Sequence, residues 1–323
     1  MQEISAISEK LAEGISKLNL DRDPSGLYEP IKYILSLGGK RIRPLMTLIA
    51  AEMFDHTPYN AMPQALAIEV FHNFTLLHDD IMDDAPLRRN KETVHLKWNV
   101  NTGILSGDAM LIKAYQLLSA TSPIYLSEIF NLFNETALGV CEGQQMDMEF
   151  ETRDDVKISE YLEMIRLKTA VLLASSLKTG SIIGGANDAD ANRMYEIGEN
   201  LGIAFQLQDD ILDAFGTQKI GKRIGGDIIS NKKTYLLITA QELASGDLKS
   251  RLDYWIQAED FDEAEKVREV LDIFNQLGIQ EIAQKEMNKY SDKAMKMLEE
   301  LEVSKEKKVN INALMNKLLQ RDF

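Results

Sequence analysis

The chain has 323 residues, 45% of them hydrophobic, and its 36 basic and 51 acidic side chains give a formal net charge of −15 at pH 7. This length is enough for one large domain or two ordinary ones, with ample apolar residues for a core in either case. The excess of carboxylates argues against nucleic acid as the main partner, whereas it permits a cation site.

The residues that report on location point to the cytoplasm. The single Cys141 excludes a disulfide framework and any multi-cysteine zinc site, which fits a reducing compartment. No apolar run reaches the roughly 18 residues of a membrane span, and Met1 to Leu20 lacks a basic start followed by an apolar run. We therefore expect a cytoplasmic protein with neither a membrane span nor a secretion signal.

The distribution of prolines and apolar residues predicts helices. All seven prolines lie in the first 123 residues, and a proline-free stretch follows in which apolar residues recur at spacings of three and four. One such set is Val267, Val270, Leu271 and Phe274. Glycines divide the chain into roughly ten or more helices of ordinary length. We predict an all-α fold, and because no repeat or linker divides the chain, a single domain over residues 1–323.

The first candidate site residues in chain order lie in the stretch from Gly38 to Pro44, which reads GGKRIRP. Its two glycines let the backbone approach an anion closely, and three cations follow them. Taken alone, such a cluster is more often a solvated surface than a ligand site. Whether this stretch is a phosphate site must be judged together with the other motifs of the chain.

Two acidic motifs of the pattern Asp-Asp-x-x-Asp, Asp79–Asp83 and Asp209–Asp213, lie 130 residues apart. On a helix, residues four apart project from one face, so the outer carboxylates of each motif repel each other. A bound cation removes that repulsion, and a site with few oxygen ligands suits Mg²⁺, which shares its shell with substrate phosphates. One such motif is usually a solvated helix face. Two copies in apolar surroundings are poorly explained in that way.

Basic residues follow these motifs along the chain. They are Arg88-Arg89, Lys168, the stretch from Gly221 to Asp227, and Lys232-Lys233. Carboxylates suit a metal ion and cations suit phosphate, so Mg²⁺ with a diphosphate is the simplest ligand that explains both.

Together these motifs resemble the trans-type isoprenyl diphosphate synthases, or polyprenyl synthetases, which include farnesyl and geranylgeranyl diphosphate synthases. The resemblance covers nearly the whole chain. The motifs that carry it are GGKRIRP (38–44), HDDIMDDAPLRRN (78–90), GQQMDMEF (143–150), KTA (168–170), FQLQDDILD (205–213) and GKRIGGD (221–227). The resemblance implies a bundle of mostly antiparallel helices around a central cavity, a homodimer, and two acidic motifs facing each other across the cavity mouth.

The resemblance also implies roles for single residues. The implied ligands of up to three Mg²⁺ ions are Asp79, Asp80, Asp83, Asp209, Asp210 and Asp213. The implied grip on the allylic diphosphate consists of Arg88, Lys168, Thr169, Gln206, Lys222 and Lys232. The diphosphate of isopentenyl diphosphate is implied to bind Lys40, Arg43, His72 and Arg89. The residues expected to matter most for catalysis are Asp79, Asp83, Asp209, Arg88, Lys168 and Lys222. Gln144 and Asp147 match a polar pair that lines the cavity in the family, and the implied role of Asp147 is to orient a lysine or water.

The implied reaction is a Mg²⁺-dependent condensation of isopentenyl diphosphate with an allylic diphosphate (dimethylallyl, geranyl or farnesyl). Breaking the allylic C–O bond leaves a carbocation and a diphosphate, whose new charge metal ions and fixed cations stabilise. The double bond of isopentenyl diphosphate attacks the cation. The departing diphosphate is the expected acceptor of the proton that leaves.

Product length is expected to depend on a stripe formed by Phe71, Phe74, Thr75 and His78. Spacing alone favours a core stripe. In the family, however, bulky residues at the positions of Phe74 and Phe71 close the floor of the cavity, here roughly 7 and 12 Å below Asp79 along a helix. The arrangement resembles the geranylgeranyl type and predicts a twenty-carbon product, with the fifteen-carbon farnesyl diphosphate as the second choice.

Three other functions remain as alternatives. A terpene cyclase-like enzyme shares the fold and Mg²⁺ but lacks the isopentenyl site, which is carried here by residues such as Lys40 and Arg43. An HD-type metal phosphohydrolase is suggested by His78-Asp79, but it leaves the second acidic motif unexplained. A non-catalytic synthase subunit typically loses one motif, and both are intact here.

Overall fold

The computed structural model describes residues 2–55, 57–216 and 225–319. The prediction of an all-α fold is confirmed. The helices of these residues are α1 (Gln2–Ser16), α2 (Ser25–Ser36), α3 (Ile42–Phe54), α4 (Met62–Met82), α5 (Val94–Lys97), α6 (Val100–Leu118), α7 (Pro123–Glu151), α8 (Ile158–Ile165), α9 (Val171–Ile183), α10 (Asp188–Phe215), α11 (Gly226–Ile229), α12 (Tyr235–Leu243), α13 (Gly246–Gln257), α14 (Glu263–Leu277), α15 (Ile279–Glu300) and α16 (Val309–Leu319). Among the helices so described, none is long and apolar enough to cross a membrane.

A short antiparallel hairpin interrupts the helices after α4. Its strands are β1 (Leu87–Arg88) and β2 (Lys91–Glu92). The turn residues Arg89 and Asn90 have φ values of 53° and 61°, the left-handed conformation that tight two-residue hairpin turns require. The hairpin thus carries both members of the predicted Arg88-Arg89 pair.

The chain forms two compact units. The first consists of the described residues of Met1–Asn134, Ser175–Tyr195 and Glu302–Leu314. The second consists of those of Glu135–Ala174, Glu196–Leu301 and Met315–Phe323. A single domain over residues 1–323 stays a prediction.

Helix α4 is the central helix of the first unit, where it packs against α3 and α6. It is buried over most of its length before the acidic motif, from Gln64 to Phe71. Elsewhere in this unit, α9 approaches the backbone of α3 closely, because a Cβ atom at Gly180 would lie 2.1 Å from the carbonyl oxygen of Thr47. Only glycine permits that approach. Because α4 is buried against α3 and α6, its packing fixes the position of the acidic motif at its C-terminal end.

The second unit has an apolar core to which helices α8, α10, α12, α13, α14 and α15 contribute. Helix α10 lies against the segment before α9, since a Cβ atom at Gly202 would lie 2.4 Å from the Cα atom of Ala170. This close packing brings the final turns of α10, which carry the second acidic motif, beside the predicted Lys168 and Thr169.

Candidate active site

The first acidic motif lies at the C-terminal end of α4. The backbone N–H of Asp83 donates to the carbonyl of Asp79 at 2.9 Å, so the two residues are one helical turn apart, as predicted. Asp80 is only 2% exposed, and the Nε atom of Arg88 donates to both of its oxygens at 2.9 and 2.8 Å. Burial raises the pKa of Asp80, and the Arg88 guanidinium opposes this shift. Asp80 is therefore already paired with a positively charged side chain, that of Arg88.

A cluster of basic residues lies beside α4 in the same unit. The Nη1 atom of Arg43 lies 3.2 Å from Nε2 of His72. Burial lowers the pKa of His72 well below its ordinary value, and Arg43, Arg89 and Arg88 lower it further, so the ring is neutral and Nε2 accepts the hydrogen bond from Arg43. Burial also lowers the pKa of Arg43 to about 10. Its Nε atom is a buried donor without a hydrogen-bond partner among the described residues.

The glycine pair before Lys40 wraps around one of these cations. Gly38 and Gly39 have φ values of 79° and 129°. A Cβ atom at Gly39 would lie 2.6 Å from Nη2 of Arg89, so only glycine leaves room for the guanidinium. The structure thus brings Arg43, His72 and Arg89 together in the first unit, with Lys40 directly after the glycine that contacts Arg89.

The buried carboxylate of Glu69 was missed by sequence reasoning. Glu69 is 4% exposed, and its Oε1 atom accepts a hydrogen bond from Nδ2 of Asn73 at 3.1 Å. Burial raises its pKa, and the positive charges of Arg41, Arg43 and Arg89 oppose the shift. The signal that could have found it is a single carboxylate within the otherwise apolar run of α4, which is costly unless it is paired.

In the second acidic motif the middle carboxylate is turned into the protein. Asp210 is 4% exposed; its Oδ2 atom accepts hydrogen bonds from the hydroxyl of Tyr161 and from the N–H of Tyr235, and its Oδ1 atom accepts one from Gln206. Burial raises the pKa of Asp210 to about 7, and the charge of Asp227 acts in the same direction. Tyr161 was not predicted as a site residue, because its position fits the apolar stripe of α8.

The predicted cations of the second unit share one carboxylate. The Nζ atom of Lys168 donates to Oδ2 of Asp147 at 2.5 Å, and Nζ of Lys232 lies 3.7 Å from the same oxygen. Burial alone would raise the pKa of Asp147, but the two lysines hold it below its ordinary value. Asp147 thus contacts both lysines, and its role in orienting a lysine or water stays a prediction. The amide nitrogen of the neighbouring Gln144 is buried without a hydrogen-bond partner in the described part of the chain.

The local backbone explains how Lys168 reaches Asp147. Lys168 and Thr169 lie in a π-helical turn, Arg166–Ala170, a feature often found at functional sites. A Cβ atom at Gly143 would lie 2.3 Å from the backbone nitrogen of Lys168, so α7 contacts this turn through a glycine one helical turn before Asp147. The hydroxyl of Thr169 donates to Gln206 at 3.2 Å.

These residues line a cleft of the second unit. Its lining includes Asp147, Tyr161, Lys168, Gln206, Asp209, Asp210, Asp213, Asp227, Lys232 and Thr234. Asp227 is a further residue that the sequence reasoning did not assign to the site, although it ends the GKRIGGD motif. The predicted Lys222 lies outside the described residues.

The predicted stripe on α4 forms ring contacts. Phe71 is 1% exposed, and its ring centroid lies 5.6 Å from that of Phe74, which lies 4.8 Å from the ring of His78. The hydroxyl of Thr75 donates to the carbonyl of His72 at 2.8 Å, so it is directed back along its own helix.

Neighbouring helices extend this aromatic cluster. Phe133 of α7 packs edge-on against Phe71 at 5.1 Å and against Tyr115 of α6 at 5.2 Å. These partners could not be chosen from sequence, because they lie on other helices. Phe71 therefore packs against one ring of its own helix, Phe74, and one of α7, Phe133.

The carboxylates of the two acidic motifs are the donor set available to a divalent metal. Among the described residues, no three carboxylate, histidine or cysteine groups lie close enough together to hold an ion by themselves. Each acidic motif instead offers oxygen ligands only, with its middle carboxylate bound by the protein. That suits Mg²⁺, which typically takes one or two carboxylates and completes its shell with water and substrate phosphate.

Comparison with known proteins gives a consistent result. The family model described as polyprenyl synthetase matches residues 24–274. Geranylgeranyl pyrophosphate synthase of Geoglobus acetivorans is 36% identical over 317 residues, which cover 96% of this chain and 95% of that protein. The crystal structure of geranylgeranyl pyrophosphate synthetase from Pyrococcus horikoshii matches with a TM-score of 0.93 and 34% identity, covering 99% of this chain and 98% of its own.

One further solved structure contains ligands. Polyprenyl synthase from Caulobacter crescentus, complexed with calcium and isoprenyl diphosphate, matches with a TM-score of 0.87 and 27% identity. The match covers 99% of this chain and 97% of that one. The resemblance found in the motifs is thereby confirmed over the full architecture. The chain belongs to the polyprenyl synthetase family and is a trans-type isoprenyl diphosphate synthase.

Proposed function

We propose that the enzyme condenses isopentenyl diphosphate with an allylic diphosphate to make all-trans geranylgeranyl diphosphate. The relatives from Geoglobus acetivorans and Sulfolobus acidocaldarius, which are 36% and 43% identical, are geranylgeranyl diphosphate synthases. The cluster of Arg43, His72 and Arg89 carries the proposal, because it is a second basic site. The other basic site is the cleft of the second unit that Lys168 and Lys232 line, the lysine cleft. A terpene cyclase or a phosphohydrolase needs only one such site.

The proposed Mg²⁺ ligands are Asp79, Asp83 and Asp209, with Asp213 as a further contributor. Asp80 and Asp210 accept hydrogen bonds from Arg88 and Tyr161, so we assign them contributions through water or through orientation of the motif. The calcium in the Caulobacter crescentus structure supports a divalent ion in this family. When bound, Mg²⁺ supplies positive charge to the leaving diphosphate. The number of ions, up to three, stays a prediction.

The proposed isopentenyl diphosphate site consists of Lys40, Arg43, His72 and Arg89. The unpaired Nε donor of Arg43 supports this assignment, since a buried donor without a partner is costly until an anion accepts its hydrogen bond. The neutral His72 ring adds no charge to this site, and its Nε2 atom orients the guanidinium of Arg43. Glu69 offsets their mutual repulsion before substrate binds.

The proposed allylic diphosphate grip consists of Arg88, Lys168, Thr169, Gln206 and Lys232, together with Lys222 outside the described residues. Asp147 holds the ammonium groups of Lys168 and Lys232 close together. Two fixed cations at one place stabilise the negative charge that develops as the C–O bond breaks, without reorganising at that moment. The isopentenyl double bond then attacks the allylic carbon, and the proton leaves to the departing diphosphate.

We also propose a cytoplasmic homodimer. Helix α6 exposes Val100, Ile104, Leu105 and Ile112, which are between 44% and 60% exposed and recur at helical spacings. Such an apolar stripe is more typical of an interface than of a solvated helix face. Light scattering of the purified protein measures the mass directly.

The experiment that tests the function measures diphosphate release from dimethylallyl, geranyl or farnesyl diphosphate, with and without isopentenyl diphosphate. We expect release only when Mg²⁺ and both substrates are present, and a twenty-carbon alcohol after dephosphorylation. Release without isopentenyl diphosphate would indicate a cyclase or a phosphohydrolase. No release with any allylic substrate would indicate a non-catalytic subunit.

A further inference from the structure

A buried lysine outside the predicted site has no acidic partner in the described part of the chain. Lys266, in the first turns of α14, is 0% exposed. Its Nζ atom donates to the carbonyl of Ile229 at 3.2 Å and lies 4.2 Å from the ring centroid of Phe261. Within the described residues it forms no ion pair with a carboxylate. Burial lowers the pKa of its ammonium group.

Stability alone does not explain this residue. Burying an ammonium group without a counter-ion costs free energy, and an apolar side chain of similar size is often neutral or stabilising in such a place. A cation near the N-terminus of a helix is also unfavourable to the helix dipole. Positions that break local rules in this way are expected where function requires them. The contacts of Nζ therefore indicate what the lysine does.

The group that Lys266 holds is the C-terminal end of the short helix α11, where Ile229 is the last residue. The other end of α11 is held by the second acidic motif. The side chain of Asp213 accepts the backbone N–H of Asp227 at 3.0 Å, and its carbonyl accepts that of Gly225 at 2.7 Å. Helix α11 is thus fixed between an aspartate of the motif and a buried lysine.

The position of a predicted diphosphate ligand follows from that of α11. Lys232 comes three residues after the helix, and its backbone N–H donates to the carbonyl of Asp227 at 2.9 Å. Its Nζ atom lies 3.7 Å from Asp147 in the lysine cleft. Between these residues, Asn231 donates to the carbonyl of Ile256 at 2.9 Å. A shift of α11 therefore moves the ammonium of Lys232 relative to the cleft.

We propose that Lys266 is a positioning residue for the allylic diphosphate, which holds α11 through the carbonyl of Ile229 and so places Lys232. The inference rests on the proposed function of the lysine cleft. Lys266 does not touch substrate in this role. Its loss leaves every diphosphate ligand present but allows one of them to move, and small displacements of a catalytic group are costly in rate.

The test compares Lys266→Met, which keeps the length and loses the charge, with Lys308→Met. Lys308 is a second buried lysine, 7% exposed, in the first unit. We expect Lys266→Met to lower kcat about tenfold, less than the roughly 10²–10³ expected for removing a charge-stabilising donor itself. The KM for isopentenyl diphosphate should not rise, and the midpoint of thermal unfolding should not fall. Lys308→Met should leave the kinetics with both substrates unchanged.

A double variant separates positioning from general damage. If Lys266 acts through Lys232, then adding Lys266→Met to Lys232→Ala should lower kcat little further. The reason is that the effects of substitutions at two coupled residues do not add up. Fully additive losses, or wild-type kcat in Lys266→Met, would overturn the proposal. Should Lys266→Met fold poorly, Phe261→Leu tests the same contact, with a smaller loss of kcat expected and an unchanged kcat as the contrary result.

Amide hydrogen exchange gives a readout that does not need turnover. Peptides that cover residues 225–231 should exchange several-fold faster in Lys266→Met than in wild type, whereas those of the first unit should not change. Equal exchange in 225–231 would contradict the positioning role even in an inactive preparation. If the wild-type protein showed no turnover, that result would contradict the proposed function but not the positioning role of Lys266.

Discussion

Tyr161 of α8 donates a hydrogen bond from its hydroxyl to Asp210 of α10, and both side chains are almost fully buried. The burial that raises the pKa of Asp210 to about 7 also raises the pKa of the Tyr161 hydroxyl well above its ordinary value, so the phenol stays a donor. The middle aspartate of the second motif is in this way part of the packing between two helices. The outer aspartates of the motif, Asp209 and Asp213, stay the proposed ligands of a cation.

The first prediction tests this hydrogen bond. Tyr161→Phe removes one hydroxyl and leaves a buried carboxylate with one donor fewer, which should lower the free energy of unfolding by roughly 1–3 kcal/mol. Urea unfolding of the metal-free protein measures the change. Tyr254→Phe is the control, since that side chain is 62% exposed and its change should lie within about 0.5 kcal/mol. Equal stability of the two variants would show that the contact contributes nothing.

The second prediction concerns the metal ligands. Asp79→Ala and Asp209→Ala should each lower kcat by roughly 10² or more, because each removes an oxygen that holds charge against the leaving diphosphate. Turnover should cease when EDTA removes the metal. Asp84→Ala is the matched control, since Asp84 lies next to the motif but outside it, and its side chain is 95% exposed. Circular dichroism checks the fold, and unimpaired turnover in either folded motif variant would contradict the metal assignment.

The third prediction separates the two diphosphate sites. Arg89→Ala and Lys40→Ala should mainly raise the KM for isopentenyl diphosphate. Lys168→Ala should mainly lower kcat, because a cation beside the leaving group acts most strongly as charge develops there. Steady-state kinetics with each substrate varied in turn distinguishes the two effects. If Lys40→Ala weakened the allylic substrate alone, Lys40 would belong to the other site.

The sequence was sufficient for the fold class and for the family. Helical periodicity and the clustering of prolines are local properties, and they predicted the all-α chain that the structure has. The hairpin of residues 87–92 escaped prediction for a local reason as well. Its turn residues, Arg89 and Asn90, adopt left-handed conformations without the glycine that usually marks such a turn.

Other features of the site depend on contacts distant in sequence. Glu69 and Tyr161 occupy positions that fit apolar helix faces, and their partners cannot be chosen from spacing. Lys266 likewise acquires a role only when the carbonyl of Ile229, 37 residues earlier, is seen beside it. Motifs thus predicted the charged groups that we propose to bind substrates, whereas the residues that hold those groups could be found only in the folded chain.

The fourth prediction is a pH dependence of stability. The folded environment lowers the pKa of His72 below its unfolded value near 6.5, so the unfolded chain binds this proton more readily. The contribution of His72 is present above about pH 6.5 and is lost as the pH falls through the folded pKa. Glu69 acts in the opposite direction, because its pKa is raised. The effect of His72 must therefore be measured by comparing two proteins that both contain Glu69.

His72→Gln isolates this dependence. We expect the variant to lose less stability than wild type between pH 7.5 and pH 5, as judged by thermal midpoints. Glu69 and the surrounding arginines are present in both proteins, so their contributions largely cancel. The exposed titrating groups cancel in the same way. Parallel loss of stability in wild type and variant would show that His72 takes up its proton as readily in the folded protein as in the unfolded chain.

The last prediction concerns product length. Phe71 is enclosed by Phe74 and Phe133, so replacing it in a closed core should cost about 3–5 kcal/mol and change no product. At the floor of a substrate cavity, the same loss of a ring opens space for a growing chain. Phe74→Ala should therefore lengthen the main product by one or more five-carbon units, and Phe71→Ala added to it should extend the product further.

Chromatography of the dephosphorylated products decides between the two roles. Wild type should stop at twenty carbons. Phe130→Ala serves as the control, because its ring lies at the edge of the cluster, 5.9 Å from that of Tyr115. An aromatic residue that merely fills the core lowers stability without altering the product, so stability must be measured beside chain length. If folded and active Phe74→Ala still makes only the wild-type product, Phe74 is a core residue and another group sets the length.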